Sequence, residues 1–466
     1  MSSSNQTTIV DVEKVEINPL NPPAFQSYSF RQGFPIVQFL IASQDKMLVG
    51  SSLRLNGTLR LNKDTSTEQV PALVDNDNRK GGGAYNAAIN SRVGVSACIN
   101  QITLSSQTNQ TLEVVRQYGR YIASAQSITH SAEDLDTCVA QQSLTASRGN
   151  LGAVGMNEDV GFSVPLRTGL LSGGNPIPLG QNGVRGLIVQ LELAPDANVL
   201  GPWYSYDDAG VATKQNEAGT GTGAFYQLRD LTLSYDLLVP DADGVAQMGT
   251  AASGSMTYNA VSHLYSVINS SDQTQNLNLG TSKTLSVFHN FLPTTHINNY
   301  NEDGFTTPSL RNANGGAYDQ DAEIKEVSFS KGGILFPIEN MVDVEFPSRQ
   351  NEDRPLAELE TNFINSIKPY KLMNHSVISL NTQNKLSTDL NVDGGDAYSG
   401  TQADPAQVFG VGVSTDPYKV GVDYSQTNYS LRIKSELDGQ SPNSVFSYVL
   451  AQNTLQYSPQ GIMVSS

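Results

Sequence analysis

The sequence predicts an all-β chain made of two β-sandwiches or jelly rolls in tandem. Short apolar segments with alternating polarity recur along its 466 residues, and convincing helices are few. A single hydrophobic core stops growing at roughly 250–300 residues, so a chain of this length divides. Both halves also end alike. An alternating segment (186–193; 429–437) leads through a loop into a long Tyr-rich one (226–239; 446–457), as in two copies of one all-β unit.

Taken in order, the first 25 residues are polar and end in Asn18-Pro19-Leu20-Asn21-Pro22-Pro23, which reads as an extended arm rather than a packed element. Residues 34–41 are an apolar strand. In 51–61 Leu53, Leu55, Leu59 and Leu61 fall on one face at the period of two of a half-buried strand. Asn56-Gly57 interrupts that strand as a turn or a bulge. Residues 75–83 are a loop and 99–104 a strand. In 111–127 Leu112, Val115, Tyr118 and Ile122 recur at spacings of three and four, which predicts a helix, and 133–146 predicts a second. Strands follow at 160–166, 186–193 and 226–239, the last ended by Pro240-Asp241.

The small, polar, Gly-rich stretch 241–255 lies near the midpoint and reads as a linker between a unit at 26–240 and one at 256–466. In the second unit the type of 258–268 is open. Residues 282–292 predict a short helix ended by Pro293, and 294–321 a long loop. Strands at 323–329 and 333–338 flank a Gly332-Gly333 turn. Residues 354–368 predict a helix, with Pro355 near its start and acids in its first turns. Strands at 408–413, 429–437 and 446–457 close the chain.

Composition excludes several roles. The chain carries 28 basic and 45 acidic residues, a net charge of −17, which argues against a nucleic-acid binder and against an anionic membrane surface as partner. No stretch approaches the ~20 apolar residues of a membrane span, and residues 1–8 lack the basic and apolar regions of a signal peptide. Two cysteines, Cys98 and Cys138, are too few for a disulfide framework, so a reducing compartment is expected.

Catalytic constellations are not legible. The histidines His130, His263, His289, His296 and His375 show no zinc-site spacing and read as ordinary loop and surface residues. The stretch Gly169-Leu170-Leu171-Ser172-Gly173-Gly174 only superficially resembles a nucleophile elbow. Cys138 and His130 are eight residues apart, about 12 Å along a helix, too far for a thiol dyad. The glycines of 219–223 lack the following Lys of a phosphate loop. Asp75, Asp77 and Gly81 lack the EF-hand order, and Asp393 with Asp396 and nearby carbonyls reads as a solvated loop, with a weak calcium site as the alternative. No catalytic, cofactor-binding or metal residue is therefore named, and no cofactor is expected.

A collinear series of phrases carries a resemblance. It runs through Asn109-Gln110-Thr111-Leu112-Glu113 with Tyr118-Gly119-Arg120, Arg185-Gly186-Leu187 to Asp196, 266–271, 286–293 and 297–300, then Phe329 to Pro337, 409–412, 421–425 and 438–461. In this order the phrases resemble the major capsid proteins of small eukaryotic double-stranded DNA viruses, the polinton-like virus and virophage group. The resemblance covers Arg31 to Ser466 and has no counterpart for 200–223. It implies a double jelly roll, two eight-stranded antiparallel sandwiches with short helices and long outer loops. It also implies a non-enzymatic shell protein of the virion, made and assembled inside the infected host cell. Three chains would form a pseudo-hexameric capsomer that tiles an icosahedral shell around a dsDNA genome. The partners implied are further copies of the chain, neighbouring capsomers, and penton and minor capsid proteins. Direct nucleic-acid binding is not expected, and genome charge would be neutralised by other proteins, ions or an inner membrane. The outer loops expected at 62–88, 200–224 and 298–321 would face a host receptor. Residues 2–23 would reach neighbours or minor proteins.

Two other classes compete. A β-sandwich glycoside hydrolase would need a close, partly buried carboxylate pair in a cleft. A lectin-like attachment protein would need an aromatic sugar platform, for which Trp203, Tyr204 and Tyr206 are the candidates.

Overall fold

The computed structural model describes residues 9–22, 27–63, 88–89, 93–129, 159–180, 184–201, 203–206, 212–215, 224–242, 254–299, 304–305, 323–335, 341–342, 365–370, 410–414, 421–436, 443–458 and 461–465. The first eight long strands are β1 (Ile9–Ile17), β2 (Ile36–Ile41), β3 (Met47–Lys63), β4 (Ile99–Ser106), β5 (Thr111–Arg116), β6 (Val160–Pro165), β7 (Leu187–Leu193) and β8 (Ala224–Pro240). They pair antiparallel in two sheets, ordered β1-β8-β3-β6 and β2-β7-β4-β5.

After residue 254 come β9 (Gly254–Ile268), β10 (Asp272–Leu277), β11 (Thr284–Pro293), β12 (Glu323–Lys331), β13 (Ile334–Leu335), β14 (Gly410–Ser414), β15 (Tyr429–Glu436) and β16 (Asn443–Ser458). Their orders are β9-β16-β11-β14 and β10-β15-β12-β13. Numbered from one within each half, and leaving out of the count the other short strands, among them Met341–Val342 on β12, both sets read 1-8-3-6 facing 2-7-4-5. A further strand, β17 (Gly461–Ser465), pairs with the end of β16. No sheet among the described residues mixes strands from before Pro240 with strands from after Gly254.

The first core follows from alternation. Leu53, Leu55, Leu59 and Leu61 of β3 are fully buried, and Leu55, Leu59 and Leu61 pair with Leu233, Leu228 and Tyr226 of β8. The opposite sheet supplies Val37, Phe39 and Ile41, matched by register to Leu191, Val189 and Leu187 and so to Ile102, Leu104 and Ser106. The predicted irregularity at Asn56-Gly57 is a bulge, and its extra residue lies on the partner strand. Arg229 pairs with Thr58 and Thr232 with Asn56, so Asp230 and Leu231 together face Gly57. Asp230 takes a positive φ of 48°, which the short polar side chains tolerate best. A Cβ on Gly57 would stand 2.6 Å from the Leu231 Cδ2 and 2.8 Å from the Arg229 carbonyl oxygen. Gly57→Ala is expected to lower stability by about 1–3 kcal/mol, read as a lower urea midpoint, because the backbone oxygen cannot swing aside.

Four expectations are corrected. Residues 9–17 are not part of an unpacked arm. They form β1, the first strand of the first sheet, paired with β8 from Ile9↔Pro240 to Ile17↔Leu233. The predicted helix over 111–127 begins as a strand. The β-branched run through Val114-Val115 pairs with β4, Gln117 breaks it at φ 52°, and only then does helix α1 (Tyr118–Thr129) begin. Residues 282–292 form no helix. From Thr284 on they belong to β11, and all ten of its residues are buried. A strand buried on both faces loses its alternation and cannot be told from a buried helix by period. The histidines are not all loop and surface residues, as shown below.

The Gly332-Gly333 turn holds as expected, with φ values of 56° and 85° joining β12 to β13. Residues 258–268 belong to β9. Of the helix predicted over 354–368, the described part is a helical end at 365–367 running into a 3-10 turn, Lys368–Tyr370. The helix predicted over 133–146 lies outside the described residues, as do His130, Cys138, His375, Asp75, Asp77, Gly81, Asp393 and Asp396.

Candidate functional site

The two halves meet along β5 and α1 of the first and β9, β11 and β16 of the second. Sheet β9-β16-β11-β14 presents one face to its own sandwich, through Val287, Phe291, Val445 and Val449. Its other face, with Phe288, Leu292, Phe446, Tyr448 and Leu450, joins the core of the first half. The fully buried ring of Tyr121 on α1 sits there. Its centroid is 5.4 Å from Tyr448, 5.9 Å from Tyr370 and 6.5 Å from Phe288.

Polar groups bind the same seam. The Glu113 carboxylate on β5 accepts the N–H groups of Gly169 and Leu170 at 2.9 Å from its own half, and that of Val261 on β9 at 2.6 Å from the other. Burial pushes the Glu113 carboxyl above its ordinary pKa, and those donors pull the other way. The Tyr258 hydroxyl donates to the Leu112 carbonyl (2.7 Å) and the Tyr448 hydroxyl to that of Gln117 (2.9 Å). The approach is close at Gly169, where a Cβ would lie 2.4 Å from the Asn259 carbonyl oxygen. The stretch that superficially resembles a nucleophile elbow therefore serves this seam: the N–H groups of its Gly169 and Leu170 hold Glu113.

Of the histidines, His289 on β11 is fully buried. Its Nδ1 lies 2.8 Å from the Ser447 hydroxyl and its Nε2 2.8 Å from the Tyr429 hydroxyl, and its ring stacks near Phe329 and Tyr429. Burial lowers its pKa to about 3. His263 on β9 is flanked by Phe446 and Tyr448, and its pKa falls to about 4 through burial, with Arg116 and Arg120 adding to the effect. His296 ends a 3-10 turn, Thr294–His296. Cys98 is buried, and burial holds its thiol protonated. No group of three metal-ligating side chains gathers among the described residues. No described helix is long and apolar enough to cross a membrane.

A cavity of about 310 Å³ opens at the same seam, lined from the first half by residues such as Ile99 and Arg120 and from the second by His263, Leu292, Phe305 and Phe446. The two buried carboxylates among the described residues are elsewhere. Glu113 is engaged as above, and Asp196, whose pKa burial raises to about 6, accepts the Tyr226 N–H at 3.2 Å. Neither lines the cavity, so the paired-carboxylate arrangement of a glycosidase is not formed there. Trp203, Tyr204 and Tyr206 fall on a short strand, Trp203–Tyr206, paired with Ala212–Gln215 inside the predicted 200–224 loop.

Neither a family model nor a curated protein matches the sequence. Solved structures do match along the whole chain. VP54 of PBCV-1, as fitted into a reconstruction of the virophage Sputnik, superposes with a TM-score of 0.53 at 12% identity, over 99% of this chain and 97% of that one. A capsid chain of the Sputnik virophage itself gives 0.53 at 10% identity, over 100% and 91%. The fold is a double jelly roll. The Faustovirus major capsid protein shares it, with a TM-score of 0.52 at 10% identity over 98% and 92%. These neighbours of the double jelly roll are structural capsid proteins, not enzymes.

What sequence reasoning missed is the seam. Glu113 and Tyr121 carry no motif. The one available signal was an acid inside the apolar run Leu112-Glu113-Val114-Val115, where a strand acid needs a buried partner.

Proposed function

We propose that this double jelly roll is the major structural subunit of a viral capsid, resident in the virion. In this reading residues 9–240 and 254–466 are its two rolls, and three copies close into a ring of six rolls. The observation that carries the reading is a fold, with the 1-8-3-6 and 2-7-4-5 strand order repeated in its two halves, that superposes over nearly the whole chain on capsid proteins. The seam supports it. Two rolls locked by aromatic packing and cross-half hydrogen bonds behave as one rigid block, the property a shell tile needs. A cyclic trimer uses heterologous contacts that close on themselves.

The edge strand β1 supports self-assembly. Val10 and Val12 are 65% and 51% exposed, apolar side chains on a sheet edge that an adjacent copy would cover. The net charge of −17 leaves genome neutralisation to other components of the particle. Penton and minor capsid proteins are the further partners, and the outer loops are the receptor-facing surface.

The test is solution mass by light scattering with negative-stain imaging of the same peak. A species of three times the 50.1 kDa chain mass with a hexagonal outline is expected. A clean monomer that forms no shells at any concentration overturns the reading.

A further inference from the structure

Resting on the three-copy ring proposed above, we propose that the seam inside one chain is repeated between chains, with the start of β1 docking on the β12–β13 hairpin of a neighbouring copy. The seam inside the chain supplies the pattern. It sets the first strand of the second roll, β9, against the fifth strand of the first roll, β5. The Tyr258 hydroxyl donates to the Leu112 carbonyl, and the Val261 N–H donates to Glu113. Tyr258 is buried there, and Met256 and Ala260, at alternate positions of β9, pack against the same core.

Because the two rolls repeat one strand order, each element of this seam has a counterpart in the other roll. The counterpart of β9 is β1, and that of β5 is β13. Both are exposed. Ile334 on β13 is 76% exposed and Val10 on β1 65%, the two most exposed large apolar side chains among the described residues. Leu335 and Val12 stand beside them, at 40% and 51%. Single exposed apolar side chains are ordinary, but these gather on the two strands that the repeat singles out. Val12 also lies on the face of its strand opposite Val15 and Ile17, which pack inwards. That outer face is the one the second roll presents to the first.

The ends of the strands match as well. In the seam β5 and β9 run alongside in one direction. Leu112, at the opening of β5, meets Tyr258, whereas Gln117, beyond its end, meets Tyr448, the partner of His263 further along β9. Ile334 follows directly on the Gly332-Gly333 turn, at the opening of β13, and Val10 and Val12 stand at the start of β1. Like ends therefore come together. Within one chain the two patches stay exposed, so the occupant of each is a second copy. A contact between two different patches of the same chain is heterologous. It continues the seam from chain to chain and is satisfied when the ring closes.

The test uses two full-length proteins with Cys138→Ser, one carrying Val12→Cys and the other Ile334→Cys. The remaining cysteine, Cys98, is buried. A short bismaleimide is added where light scattering shows the three-chain species. The mixture is expected to give a cross-linked pair of chains, and either protein alone none. Separately, Ile334→Lys is expected to raise the concentration for half assembly at least about tenfold, the effect of losing an interface anchor. Its thermal unfolding as a single chain should match the wild type, because the position is exposed. Adding Val12→Glu to that variant should restore most of the assembly. Three-chain species that give no mixed cross-link, that cross-link in either protein alone, or that are undiminished by Ile334→Lys overturn this docking and leave the capsid reading standing. A wild-type chain that stays single at every concentration overturns both.

Discussion

Tyr121→Ala is expected to destabilise the protein by about 3–5 kcal/mol, the usual cost of removing a buried aromatic ring, and Tyr121→Phe by nothing at all. The contrast follows from the surroundings of the ring. Tyr121 is fully buried where α1 of the first roll enters the second, against Tyr118, Phe288, Tyr370 and Tyr448. Removing it leaves a hole bounded by both rolls. Its hydroxyl oxygen is buried without a hydrogen-bond partner among the described residues, so replacing it with hydrogen removes a desolvated polar group at no loss of bonding. Urea midpoints measured on the three proteins check both statements. The alanine variant should also split unfolding into two steps, since the ring is shared by two cores. A phenylalanine variant weaker than wild type by more than about 1 kcal/mol would show that the hydroxyl does find a partner.

Acidification between pH 6.5 and 3 is expected to cost stability chiefly through His289, against the opposite contribution of Asp196 and Glu113, whose raised pKa values let the fold take up their protons first. Its pKa in the fold is about 3 against 6.5 in the unfolded chain. The unfolded state therefore binds the proton first. The neutral ring's contribution is complete above pH 6.5 and is lost as the pH falls towards 3. At 1.36 kcal/mol per pH unit this amounts to about 3–5 kcal/mol. The geometry gives the cause. Both ring nitrogens are held by hydroxyls, Ser447 and Tyr429, between stacked aromatic faces, and the ring meets no carboxylate in these contacts. An imidazolium would need both hydroxyls to accept, in a site that offers its charge no water. His289→Gln should flatten the fall of urea midpoint with pH while lowering its value at pH 7. His263, with its pKa at about 4, adds a smaller slope of the same sign. An unchanged slope in the His289 variant would assign the acid sensitivity elsewhere.

Much of the fold was legible because most strands face a core on one side only. The leucines of β3 and the alternation of β7 and β15 are period-two patterns, and turn residues such as Gly332-Gly333 punctuate them. Legibility failed where a strand serves two cores. β11 is buried on both faces because the second roll packs against the first, a fact that no local window contains. It failed again at β1, whose partner lies more than two hundred residues away, so that the Pro-rich segment after Ile17 dominated the reading. The candidate cavity was not legible at all. Its lining is drawn from residues 97–120, 194–198, 263–305 and 446, which come together only when the two rolls dock.

The pairing of first strand with last has a consequence for synthesis. Ile9 faces Pro240, and Gly254 faces Tyr457. A ribosome must therefore deliver Pro240 before the first roll can close over its own beginning, and Tyr457 before the second can. Contacts between residues so distant in sequence are slow to form. Until then the unpaired edges of β1 and β3 wait for β8, which joins them both. The Val261 amide that Glu113 requires arrives only after the first roll has been made. A prematurely terminated chain thus cannot yield a finished half with a clean outer wall. Only complete translation closes both rolls and the seam between them, and unfinished chains remain sticky, open-edged targets for chaperones and proteases.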